Sequence, residues 1–218
     1  MQTRTLATLA VALAMTTAGC GFLLGTEALE FAADPVTVSD EAVSETGYQE
    51  TAVRSENATR NFSVADQERT VRVVNHLGQY ERSVQLPGLE GSQPAAAFLA
   101  LSSPEINVAG QTLNPLSGLS EREILEKFSS SYEGLNVGQR VENQSVQSLG
   151  ANRSVSKYEG TATLAGSELD VYVHVTKFRH GEDFIAAIAI YPQSLPDEEE
   201  NVETLLTNLE HTTNSSDE

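Results

Sequence analysis

Two histidines lie close to a pair of carboxylates: His174, then His180, Glu182 and Asp183. Imidazoles and carboxylates together form a donor set for a divalent cation. That makes His174, His180 and Asp183, with Glu182 beside them, the candidate metal ligands. The pattern also has a plainer meaning. Alternation in "DVYVHVTKF" puts His174 on one strand face with Tyr172, Thr176 and Phe178, while "RHGED" reads as a polar turn. The expectation is therefore a half-buried histidine and a tight hairpin, with no metal and no cofactor. His76 and His211 have no chemical partners close in sequence.

Motifs for covalent or phosphate chemistry are missing. The chain has no Gly-x-Ser-x-Gly, no His-Glu-x-x-His, no phosphate loop, and no Ser-x-x-Lys with its usual partners. "PDEEEN" offers carboxylates, but at the start of a helix they suit the dipole and read as a solvated face. An enzyme would have to be a hydrolase whose site is dispersed in sequence. A binding or accessory module is the better expectation. The stiff loop "LNPLSGLS", residues 113–120, is a further candidate for binding, because loops on a rigid scaffold often carry it.

The single cysteine, Cys20, follows a charged start with Arg4, an apolar run from Leu6 to Ala14, and the small residues Thr17, Ala18 and Gly19. This order is that of a signal peptide over residues 1–19. The apolar run is shorter than the roughly 20 residues a spanning helix needs. The pattern resembles the lipobox of secreted lipoproteins, with Thr17 where leucine is commoner. A twin-arginine pair is absent, which favours the general secretory route. Cys20 is accordingly the expected lipidation site, since a lone thiol closes no internal disulfide. A two-chain lipid would hold the protein at the outer side of the cell membrane without spanning it. Five Asn-x-Ser/Thr sequons, at Asn57, Asn61, Asn143, Asn152 and Asn214, are then possible glycan sites of a glycoprotein.

The formal charge is -18, and losing residues 1–19 removes Arg4 and no acid. Only three basic residues are lysines, and tryptophan is absent. Such charge repels itself in dilute buffer and is screened in molar salt. The composition has a haloarchaeal character, and it excludes nucleic acid as a partner, because phosphate binding needs basic patches.

These residues need elements to position them. Residues 20–45, small and acidic, read as a lipid-anchored tether. Residues 46–210 suit a single α+β domain, and residues 211–218 a disordered acidic tail. Strands are expected at 48–56 and 60–65. A hairpin follows, "RTVRVVNH" to "QYERSVQL", turning at Leu77-Gly78. Residues 94–103 fit either a strand or a short helix. Ser120 and Glu123 form a capping box for a helix over 120–132, with Ile124, Leu125, Phe128 and Tyr132 as its apolar stripe. Four strands come next, and a final helix over 197–210 with Val202, Leu205, Leu206 and Leu209 on one face. "DFIAAIAIY" is apolar on both faces, so it should be central and covered on both sides. The expectation is an antiparallel sheet with helices on both faces, a three-layer α/β/α sandwich.

The start at Cys20, "VAGQTLNPLSGLSEREIL", "SLG" and "SKYEGTATLAGSELDVYVHVTKFRHGEDFIAAIAIYPQ" together resemble a family of uncharacterised haloarchaeal lipoproteins, a domain of unknown function. The resemblance implies a membrane-anchored protein and brings no activity with it. The element order is more loosely similar to the PsbP/Mog1-like fold of a photosystem accessory protein and a nuclear-transport factor. That is a likeness of architecture alone.

Overall fold

The computed structural model describes residues 29–64, 67–86, 91–108, 111–112, 114, 116–130 and 134–212. Its centre is an eight-stranded sheet. The strands are β1 (Leu29–Ala32), β3 (Gln49–Val64), β4 (Gln67–Gln85), β5 (Ser92–Pro104), β8 (Asn136–Ser148), β9 (Ala151–Leu164), β10 (Ser167–His180) and β11 (Asp183–Pro192). Their order is β1-β4-β5-β11-β10-β9-β8, with β3 on the other edge of β4. Two small pairs lie apart: β2 (Val36–Val38) with β12 (Leu209–His211), and β6 (Asn107–Val108) with β7 (Gln111–Thr112). Three helices complete the described residues: α1 (Asp40–Thr46), α2 (Glu121–Ser129) and α3 (Glu198–Thr207).

The doubly apolar strand β11 is central, between β5 and β10. Ile185, Ala187, Ala189 and Tyr191 join the core under α1 and α3, with Val202, Leu205 and Leu206. Ile188 joins the opposite core, with Val171, Val173, Val175 and the α2 residues Ile124 and Leu125. The period-2 alternation thus feeds two cores, one on each side of one sheet. Residues 94–103 resolve as strand. β5 takes ladder bonds from β4 and from β11, and that satisfies its backbone as a short helix could not.

The sheet is mixed rather than antiparallel. β4 is 19 residues long, and β5 pairs with it only from His76 to Gln85. The edge left beyond is taken by β1, which runs parallel to β4 from Leu29↔Val71 to Ala32↔Val74. The expected turn at Leu77-Gly78 does not exist, because β4 passes straight through it. Gly78 answers a close approach instead. A Cβ there would come 3.2 Å from the Tyr80 ring and 3.4 Å from the Val36 carbonyl oxygen of β2. The hairpin closes at Val64↔Gln67, and the two expected strands at 48–56 and 60–65 are one strand, β3.

Both ends of the domain also differ from expectation. Residues 29–45, expected within the 20–45 tether, form β1, β2 and all but the last residue of α1. Val36, Val38 and Ala42 are buried in the α1/α3 core. The final helix stops at Thr207 rather than 210. The chain then pairs with β2, from Leu209↔Val38 to His211↔Val36. His211, expected to open the tail, is buried. The signal peptide, Cys20 and Asn214 lie outside the described residues. Among the described residues, no helix is long and apolar enough to cross a membrane.

Candidate functional site

The α2 face of the sheet carries a groove of about 490 Å³, within the common size range of ligand pockets. Its floor is Leu77 of β4, Leu99 and Leu101 of β5, and Ile188 of β11. Its wall is Leu116, Leu119, Ile124 and Phe128. Arg54, Glu56 and Lys127 stand at the rim. Arg54 Nε lies 3.0 Å from Glu56 Oε1, and its Nη1 donates to Gln79 Oε1 at 2.6 Å.

The wall is built by local sequence. The capping box expected at Ser120 and Glu123 is formed. The Ser120 N–H donates to Glu123 Oε2 at 2.8 Å, and the Glu123 N–H donates to Ser120 Oγ at 3.3 Å. These contacts to Ser120 hold the Glu123 carboxyl below its ordinary range. The loop before α2 is pinned by Asn114, whose Oδ1 accepts from the Leu116 N–H at 2.6 Å and the Ser117 N–H at 3.1 Å. Lys177 of β10 donates to the carbonyls of Leu116, at 3.0 Å, and Leu119. The candidate loop of 113–120 therefore contributes two leucines to the groove. Leu113 and Pro115 lie outside the described residues.

His174 sits on the other side of the sheet. It is buried, and its Nε2 lies 3.0 Å from the Tyr191 hydroxyl, the two rings stacking at 5.5 Å. Burial pushes the imidazole down to about 4 and the Tyr191 phenol up. Nearby, Lys157 of β9 lies 4.2 Å above the Tyr172 ring and donates to Glu199 Oε2 at 2.7 Å. Arg82 of β4 pairs with Glu198, whose side chain is fully buried. The expected solvated acidic face at "PDEEEN" is thus corrected. Two of its carboxylates fasten the first turn of α3 to strands on either side of it.

His180 and Asp183 come together, and the third member is His211 rather than His174. Six residues of strand put His174 about 20 Å from His180. The Asp34 N–H donates to Asp183 Oδ2 at 2.8 Å, and the same oxygen lies 3.0 Å from His211 Nε2. His211 Nδ1 lies 2.8 Å from His180 Nδ1. Glu182 is exposed, and its carbonyl accepts from the Glu105 N–H at 2.8 Å. Among the described residues, no three His, Cys, Asp or Glu side chains converge as a metal site. Nothing in the sequence signals the part of His211, since only closure of β12 on β2 brings it to the hairpin.

The four sequons among the described residues fall on strands. Asn57 and Asn61 are exposed on β3, although "SENATRNFS" reads as a loop; pairing with β4 overrides its local turn preference. Asn143 on β8 and Asn152 on β9 are also exposed.

Fold and groove together define a small α+β domain: a mixed eight-stranded sheet with three helices and one apolar, ligand-sized recess on the α2 side. The chain belongs to the family described as "Domain of unknown function (DUF6517)", which it matches over residues 35–210. No curated protein matches it. Among solved structures it is similar to cyanobacterial PsbP (CyanoP) from Synechocystis sp. PCC 6803, with a TM-score of 0.34 and 9% identity over 84% of this chain and 94% of that one. It is also similar to the protein of unknown function PA94 from Pseudomonas aeruginosa, with a TM-score of 0.32 and 9% identity over 71% and 98%. A third likeness is to the immunity protein TplEi of the same organism, with a TM-score of 0.32 and 14% identity over 80% and 64%.

Proposed function

We propose that this domain is an extracytoplasmic binding module of a haloarchaeal-type lipoprotein, moored through a lipid on Cys20. Its ligand is small and largely apolar, with a polar end that meets Arg54 and Lys127. The observation that carries the binding role is the groove itself. It presents eight apolar side chains in one recess, backed by a wall that Asn114, Lys177 and the Ser120 cap hold in place. Apolar recesses with a few polar rim groups are the usual form of small-molecule sites. The competing hydrolase reading finds its nearest support in Ser55 Oγ, 3.2 Å from His76 Nδ1, an exposed cross-strand pair on the β3–β4 hairpin. The cytoplasm is excluded on this reading, and the partners are the membrane and either a ligand or a membrane complex.

An anilinonaphthalene sulfonate dye, titrated into the purified chain in molar KCl, should bind one site and brighten. Leu101→Trp, which fills the groove, should remove that site while leaving the circular dichroism unchanged. An unchanged dye isotherm in the variant would exclude the groove as a binding site and leave the accessory role. The mooring is tested separately. Cys20→Ser should move the protein from the membrane fraction to the medium, and retention in the membrane would end the lipoprotein reading.

A further inference from the structure

We propose that His180 and His211 chelate a transition-metal cation of the Cu²⁺ type at the tip of the β10–β11 hairpin, with Asp183 as the positioning carboxylate. The argument begins with Asp183. Its carboxylate accepts, so His211 carries its proton on Nε2 and turns the Nδ1 lone pair toward His180. The Asp34 amide fixes the carboxylate in turn. A carboxylate behind an imidazole whose other nitrogen is left open is the arrangement that orients metal-binding histidines. His211 and Asp183 are buried, so this half of the site is rigid, while half-buried His180 leaves an approach from solvent.

The two Nδ1 atoms are hydrogen-bonded to each other in the metal-free protein, and a cation would replace that bond. A cation about 2.0 Å from each, with a right angle between the bonds, would hold them about 2.8 Å apart; a tetrahedral angle would need about 3.3 Å. The observed Nδ1···Nδ1 distance is 2.8 Å. That is the distance of the metal-free hydrogen bond; the choice of Cu²⁺ rests on the donors, since it is the first-row divalent ion that such nitrogen sites bind most tightly. Without metal, the same separation suits one N–H···N hydrogen bond. The cation displaces that proton, which moves to Nε2 of His180; it sits about 1.4 Å off the Nδ1···Nδ1 line, so the half-buried His180 ring must tilt to aim its lone pair at the metal. Water fills the remaining positions, as no third protein donor converges among the described residues. Mg²⁺ and Ca²⁺ take oxygen donors, so two imidazole nitrogens hold them poorly.

The test is a Cu²⁺ titration of the full chain in detergent and molar KCl, against glycine as competitor, read by electron paramagnetic resonance. One Cu²⁺ per chain with two equatorial imidazole nitrogens is expected. His180→Asn should abolish that signature, Asp183→Asn should weaken binding by about 10–100-fold, and His76→Asn should change neither. Full-strength binding in His180→Asn would overturn the proposal and leave a plain histidine–histidine hydrogen bond. If His180→Asn did not fold, the native spectrum would decide, because fewer than two imidazole nitrogens would also overturn it.

Discussion

Burial of His174 sets a pH dependence that belongs to this one side chain. In the unfolded chain its imidazole titrates near the ordinary 6.5; in the fold, burial takes it down to about 4. Between those values the unfolded state binds the extra proton, so stability rises with pH across the window. The contribution is fully present above 6.5 and is lost as pH falls toward 4. It amounts to roughly 3 kcal/mol. Urea unfolding of the native chain and of His174→Asn, compared above and below this window, should differ in pH slope, with the variant flatter. Parallel slopes would show that His174 is not the group responsible. The strand face of His174 was readable from alternation. Its bond to Tyr191 was not, because it depends on the register that sets Tyr172 opposite Tyr191. The same holds for His211 and for the Arg82–Glu198 pair, whose members stand 116 residues apart. Its place at a helix start had marked Glu198 as solvated, yet a buried carboxylate beside a guanidinium is tolerated where the pairing is close.

At the scale of elements, legibility followed the strength of local signals. α2 was readable because its cap and the described part of its stripe lie within nine residues, Ser120 to Phe128, although the helix ends at Ser129 rather than 132; β11 was readable because eight consecutive positions, Phe184 to Tyr191, are apolar on both faces. β1, β2, α1 and β12 were not. Each is only three to seven residues long, too short for a period to show, and each is held by long-range pairing. Gly78 misled for a related reason: glycine marks a close backbone approach as readily as a turn. The cap of α2 also matters to the groove, since the helix supplies Ile124 and Phe128 to its wall. Ser120→Ala removes the Oγ that accepts from the Glu123 N–H and donates to Glu123 Oε2, and leaves only the bond from the Ser120 N–H to that carboxylate. It should cost about 1 kcal/mol of stability. The first turn of α2 should fray, with faster amide exchange at Glu123 and weaker dye binding. Normal exchange with weakened dye binding would instead assign Ser120 a direct contact with the ligand.

At the scale of the whole molecule, charge outweighs any single contact. A domain carrying most of a formal -18 keeps its few cations in fixed pairs: Arg82 with Glu198, Lys157 with Glu199, Arg179 with Glu105. Most of the other described carboxylates are exposed. At about 0.1 M salt the Debye length is about 10 Å, so neighbouring carboxylates repel; at about 1 M it is about 3 Å, and that repulsion is largely screened. The thermal midpoint should therefore climb steeply with KCl at low concentration and level off near molar salt. Salting-out of apolar surface predicts a different curve, one that keeps rising as more salt is added. A curve that levels off would assign the stabilisation to screening and support the saline habitat in the proposed function. A midpoint indifferent to KCl would mean that the paired cations already neutralise the surface, and the argument from charge to habitat would fail.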